Sequence, residues 1–92
     1  MQFRFLVWDE QTDKVHLVGY PLVLTRREKQ IIIALLREDY IKSEVIAARS
    51  LLPLSANSVP THIHSINKKA YLVSGRKLIK CDHGYYHIVI GM

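Results

Sequence analysis

The sequence predicts an α+β domain in which a small N-terminal antiparallel sheet leads into three helices and a C-terminal β-hairpin. Three observations carry that expectation. Short runs rich in β-formers sit near the two ends of the chain, each bounded by turn residues. Between them lie stretches with helical periodicity, opened by capping patterns. The chain has 92 residues, 49% of them hydrophobic, enough for one core and little more, so residues 1–92 are expected to form a single domain. Its parts would be a sheet over 1–24, a three-helix core over 25–73 and a hairpin over 77–90.

In order, residues 2–8 (QFRFLVW) read as a strand, 9–13 as a polar turn and 14–18 as a second strand. Gly19-Tyr20-Pro21 supplies turn chemistry, and 22–24 a short third strand. Thr25-Arg26-Arg27-Glu28 is a capping box: the Thr25 hydroxyl can accept from the Glu28 amide while Glu28 reaches back to the Thr25 amide. The helix it opens runs to about Glu38 and should bury Ile31, Ile32, Leu35 and Leu36. Ser43 is the expected N-cap of a second helix ending near Ser50. Leu51, Leu52 and Leu54 surround Pro53 in the connection that follows.

The stretch 57–70, NSVPTHIHSINKKA, is the most informative part of the chain. At about 100° per residue, Val59, Ile63, Ile66 and Ala70 share one narrow apolar stripe, while Asn57, Thr61, His64, Ser65 and Lys68 gather opposite. Ser55 or Asn57 would cap it, and Pro60 falls in the first turn, where a missing N–H costs nothing. Ser74-Gly75 ends the helix. Residues 77–81, the turn Asp82-His83-Gly84 and residues 85–90 then read as a hairpin. Two helices joined by a turn and followed by a hairpin make a winged helix-turn-helix.

Charge sharpens this. The formal net charge is +5, yet up to Glu44 seven Lys/Arg and seven Asp/Glu cancel. From Val45 onward come Arg49, Lys68, Lys69, Arg76, Lys77 and Lys80 against the single acid Asp82. A one-sided basic half points to a polyanion, most often nucleic acid. No apolar run approaches the roughly 18 residues of a membrane span, so no membrane contact is expected. The lone Cys81 suits a reducing interior such as the cytoplasm.

Other chemistries find little support. The chain has no phosphate-binding glycine loop, no H-E-x-x-H and no nucleophile elbow, so no enzyme and no cofactor is expected. His62 and His64 point about 160° apart on a helix and cannot share an ion. Cys81, His83 and His87 straddle a turn with no second cysteine to complete a zinc set, and no metal is expected. Asp9, Glu10 and Asp13 look solvated.

Residues 19–28, G-Y-P-L-V-L-T-R-R-E, resemble the "G-x-x-(V/I)-x-L-T-x-x-E" motif that opens the first helix of the winged-helix effector domain of OmpR/PhoB-type response regulators. Residues 59–69, V-P-T-H-I-H-S-I-N-K-K, are similar to that family's DNA-reading helix "V-x-V-H-I-x-x-L-R-K-K", without gaps. Residues 78–88, with Gly84-Tyr85-Tyr86, resemble its "I-x-T-V-R-G-x-G-Y" wing. The likeness covers nearly the whole chain and implies sequence-specific binding of double-stranded promoter DNA by a transcriptional regulator, the helix in the major groove and the hairpin on the backbone or minor groove.

Carried onto this sequence, the resemblance implies base or phosphate contacts for Thr61, His64, Ser65 and Lys68, with Asn57 able to read adenine. Ser58 and Asn67 join that set. His62 would pack or position a phosphate, Lys69 and Lys80 would neutralise phosphates, and His83 would reach the minor groove or backbone. The chain departs from the family where Ser65 and Asn67 replace arginines, and where Asp82 or Cys81 takes the place of the wing's arginine. Fewer bidentate guanine contacts and a shallower salt dependence follow. The connection between the first two helices is also shorter than usual.

In that family a receiver domain's aspartate takes phosphate and drives dimerisation on tandem half-sites, which makes a homodimer an implied partner. These residues contain no such group. They fit an excised effector domain, a free-standing regulator or the cytoplasmic head of a ToxR-like membrane regulator alike. The rival expectation is a protein-interaction module that contacts RNA polymerase or a partner regulator through the apolar residues 51–54 without reading DNA; beside DNA binding, residues 51–56 are the expected RNA polymerase contact.

Overall fold

A computed structural model describes residues 5–51 and 53–89. The expected strand residues 2–4, Leu52 in the connection and Ile90 at the end of the hairpin lie outside the described residues. The architecture is α+β, with two small antiparallel sheets flanking three helices. The first sheet runs β1 (Leu6–Asp9), β2 (Lys14–Leu17) and β3 (Tyr20–Pro21) in sequential order. Leu6 pairs with Leu17 and Trp8 with Val15, which puts Leu6, Val15 and Leu17 into the core.

The acidic turn between β1 and β2 is exposed, yet two of its acids do structural duty. Asp9 accepts from the Gln11 amide, and Asp13 accepts from the Trp8 indole and from Lys29. Beyond β2 the third strand is displaced from its expected position at 22–24. Val18 and Gly19 both adopt positive φ and close a two-residue turn, so pairing resumes at once with Tyr20 opposite Leu17. The sequence motif places the turn one residue too late because valine rarely adopts that backbone region.

The capping box forms as expected. Glu28 N donates to Thr25 Oγ1 at 3.2 Å, and Thr25 N donates to Glu28 Oε1 at 2.9 Å. It opens α1 (Arg26–Arg37), which buries Ile31, Ile32, Ile33, Ala34 and Leu35 and leaves Leu36 half-buried. Helix α2 (Ser43–Arg49) begins one residue earlier than expected: Lys42 holds the N-cap position with no side-chain cap, and Ser43 is already helical. A short 3-10 turn (Ala56–Ser58) then leads into α3 (Val59–Ser74). Ser55, not Asn57, caps that turn by accepting from the Asn57 amide.

Gly75, at φ 75°, stops α3 in the left-handed conformation that lets its amide bond Tyr71 O. Strands β4 (Ile79–Asp82) and β5 (Tyr85–Ile88) pair around His83-Gly84, a turn of two residues rather than three, both at positive φ. Positive φ at both central positions matches the right-handed twist of a hairpin, and Gly84 adopts it without a steric penalty. The hairpin gains a neighbour from the connection between α1 and α2. Ile41 and Tyr86 exchange two backbone hydrogen bonds, and Asp39 accepts from the Ile88 amide. That connection holds the wing against the core.

Candidate nucleic-acid interface

Helix α3 docks through the expected stripe: Val59, Ile63, Ile66 and Ala70 are buried in the same cluster as Ile31, Ile32 and Leu35 of α1. Burying one face fixes which face is left outside. Asn57, Pro60, Thr61, His64 and Lys68 are exposed, and so are Lys77, Lys80, Cys81 and His83 on and before the wing. An open cleft of about 430 Å³ separates α3 from β4, lined in part by Pro60, His64, Lys77, Lys80 and Cys81. A second depression, lined by His64, Lys68, Tyr71, Leu72 and Lys77, continues along the C-terminal half of the helix. No carboxylate lines either one. Lys68, Lys77 and Lys80, with His64 among them, therefore form one basic surface shared by helix and wing.

Lys77 belongs to that surface although no sequence motif singled it out. Its signal was only its place in the basic half of the chain, because a residue just ahead of a strand has no predictable face. Arg76 is exposed beside it.

Four residues expected at the DNA face are engaged elsewhere. Asn67 is turned to the wing: its Oδ1 accepts from Leu78 N at 3.0 Å and Ile79 N at 2.8 Å, and its Nδ2 donates to Ile79 O at 2.8 Å. With both ends of the amide occupied it is a brace between α3 and β4. Lys69 points back to α1, where Nζ lies 2.6 Å from Glu28 Oε1. Ser65, one helical turn earlier on the same side, faces Glu28 and favours its ionised form. Ser58 donates its hydroxyl to Ser55 O at 2.8 Å, closing the turn before the helix. The apolar stripe explains Asn67 and Lys69, since side chains on its flanks meet the wing or α1 before they meet solvent. His62 is half-buried on one such flank, and His83 stands at the wing tip with its side chain 92% exposed, 3.5 Å from Asp82.

Glu28 is the buried charged residue of the described core, 2% exposed. Burial raises the pKa of its carboxyl, but Lys69, Ser65 and the Thr25 amide together outweigh it and hold the group below its ordinary 4.5. A carboxylate whose folded value is depressed contributes stability above the unfolded pKa and loses it as pH falls through the folded one. Urea midpoints should therefore drop on the acid side of pH 4.5. Glu28→Gln should flatten that limb in part, with the remainder carried by Asp9 and Asp13, whose pKa values are also lowered. An acid limb unchanged by the substitution would contradict this role.

Among the described residues, no three His, Cys, Asp or Glu side chains cluster closely enough to hold a metal ion, and Cys81 is a free, exposed thiol. No described helix is long and apolar enough to cross a membrane.

No protein-family model and no curated protein sequence matches the chain. Solved structures do match it. The DNA-binding domain of the response regulator AdeR, in complex with an intercistronic region, superposes with a TM-score of 0.79 at 17% identity, covering 96% of this chain and 97% of that one. The DNA-binding domain of Klebsiella pneumoniae RstA, in complex with the RstA box, gives 0.75 at 17% identity, covering 97% and 95%. A streptococcal protein, one of a family of redox sensors evolved from two-component response regulators, gives 0.78 at 21% identity; 98% of this chain is covered but only 42% of that one. This chain thus spans less than half the length of that relative. By element order, wing geometry and these superpositions, the chain adopts the winged-helix fold of OmpR/PhoB-type response-regulator effector domains.

Proposed function

We propose that this domain binds double-stranded DNA with sequence selectivity, as the DNA-reading part of a transcriptional regulator. Helix α3 enters the major groove and the hairpin rests on the flanking backbone or minor groove. The observation that carries the reading is the acid-free surface formed by His64 and Lys68, on the exposed side of a helix pinned to the core by its opposite face, together with Lys77 and Lys80 at the wing. Asn57, Thr61 and His64 are the base-reading candidates; Lys68, Lys77 and Lys80 supply sequence-independent attraction to phosphates. His83 reaches backbone or minor groove from the wing tip, and His62 supports the helix from its flank. The AdeR and RstA domains, each solved on DNA, support the same partner for this fold.

Lys68→Ala tests the docking. Losing one phosphate contact should flatten the slope of log K against log salt by about 0.9 and weaken binding to every duplex alike. Thr61→Ala should instead change site preference with the salt slope intact. A Lys68→Ala domain that binds promoter fragments as the wild type does would rule out this geometry.

The rival reading, a protein-interaction module, draws on Leu51, which is 87% exposed beside Pro53. Gln30 accepts from the Leu51 amide, and Arg27 donates to Pro53 O, so Leu51 and Pro53 are each tied to α1. RNA polymerase contact through residues 51–56, a homodimer on tandem half-sites and a cytoplasmic setting all accompany the DNA reading as proposals. Gel shifts with competitor DNA at two salt concentrations separate the two readings: absent or sequence-blind binding favours the module.

A further inference from the structure

We infer that Glu28 is a positioning residue for DNA recognition, holding the rotation of α3 about its axis and withholding the Lys69 charge from the DNA backbone. The inference rests on the DNA-binding reading and concerns what sets its selectivity. Glu28 sits in the first turn of α1, fixed there because Oε1 accepts from the Thr25 amide at 2.9 Å. The same oxygen receives Lys69 Nζ at 2.6 Å, and Ser65 faces the carboxylate and helps to keep it ionised. Residues 65 and 69 are four apart and stack on one side of α3. The Lys69 contact, made to a carboxylate that is itself anchored and with Ser65 facing the same group, adds to the apolar stripe and the Asn67 bonds in resisting a roll of the helix.

The charge follows the geometry. Lys68 and Lys69 are neighbours in sequence, yet Lys68 is exposed while Lys69 is drawn to a carboxylate whose side chain is 3% exposed. One of the two adjacent lysines, half-buried, is thereby paired within the protein. A phosphate contact by Lys69 would be blind to sequence, so keeping it inward favours discrimination over raw affinity.

Glu28→Gln tests both halves. Glutamine at this position still serves the capping box, so the domain should fold, which urea denaturation checks. Freed of its partner, Lys69 should reach a phosphate and steepen the salt slope by about 0.9. Affinity for unrelated duplex should rise, and the ratio of specific to non-specific affinity should fall. Lys69→Gln should leave the slope at its wild-type value, and the double variant Glu28→Gln/Lys69→Gln should return to it. A purely structural Glu28 would lower the urea midpoint and leave slope and ratio alone. An unchanged slope in Glu28→Gln, or a slope flattened by about 0.9 in Lys69→Gln, overturns the inference while the DNA reading stands. A wild-type domain with no salt-dependent duplex binding overturns both, before any variant is made.

Discussion

Asn67→Ala should destabilise the domain by about 2–4 kcal/mol, the cost of leaving several partly buried backbone groups without a partner. Asn67 serves two amides and one carbonyl of residues 78 and 79, and both residues are almost fully buried, at 0% and 2% exposure. Ile79 pairs with Ile88 in the hairpin, while its own N–H and C=O face Asn67 across the start of β4. Alanine offers no replacement for any of the three bonds. The measurement is a urea titration in which the midpoint falls while the m-value stays constant, because the surface exposed on unfolding hardly changes. DNA affinity should fall with stability, since Lys80 and His83 are carried by the strand pair that loses its brace. A change below about 0.5 kcal/mol, the range of ordinary surface substitutions, would show that the amide bonds are readily replaced by water.

Ile66→Ala should cost about as much or more, about 2–5 kcal/mol. Ile66 is fully buried and central to the stripe by which α3 meets the cluster of Ile31, Ile32 and Leu35. Truncation removes apolar surface from the core and leaves a cavity that α1 and α3 close only in part. For a small domain this is a large share of total stability, typically 5–15 kcal/mol. Leu72 provides an internal control: it lies on the same helix, is 83% exposed, and Leu72→Ala should change stability by no more than about 0.5 kcal/mol. Similar midpoints for the two variants would mean that α3 does not dock through the stripe described here.

The two variants probe different links between fold and proposed function. Ile66 decides that the helix is present and which side faces out; Asn67 decides where the wing stands relative to it. The distinction mirrors how the site was legible. The apolar stripe follows from a period of about 3.6 residues alone, and it identified Val59, Ile63, Ile66 and Ala70 without knowledge of any neighbour. The capping box was equally legible, because both hydrogen bonds lie within four consecutive residues. Ser65, Asn67 and Lys69 were not. The helical period places Asn67 and Lys69 on the flanks and Ser65 on the outer face, yet for all three the outcome depends on what the neighbouring element offers. Here α1 offers a buried carboxylate, and β4 offers unpaired backbone amides.

The wing shows the same division in another form. Its existence and approximate span were readable from two β-rich runs around a Gly-containing turn, but its attachment was not. Ile41 bridging Tyr86 and Asn67 bracing Ile79 are contacts across many residues of chain, with no local pattern to announce them. Lys77 entered the basic surface by the same route.

By itself the sequence determined the fold class, the order of elements, the face on which α3 docks and the bias of positive charge toward the C-terminal half. Each of these rests on interactions between residues close in the chain or on composition, which no later packing step reverses. Tertiary structure alone decided which polar side chains of α3 remain available to a partner. A flank residue chooses between solvent and a buried opposite charge or unpaired amide, and burying those groups unpartnered would cost more than giving up an exposed side chain's freedom.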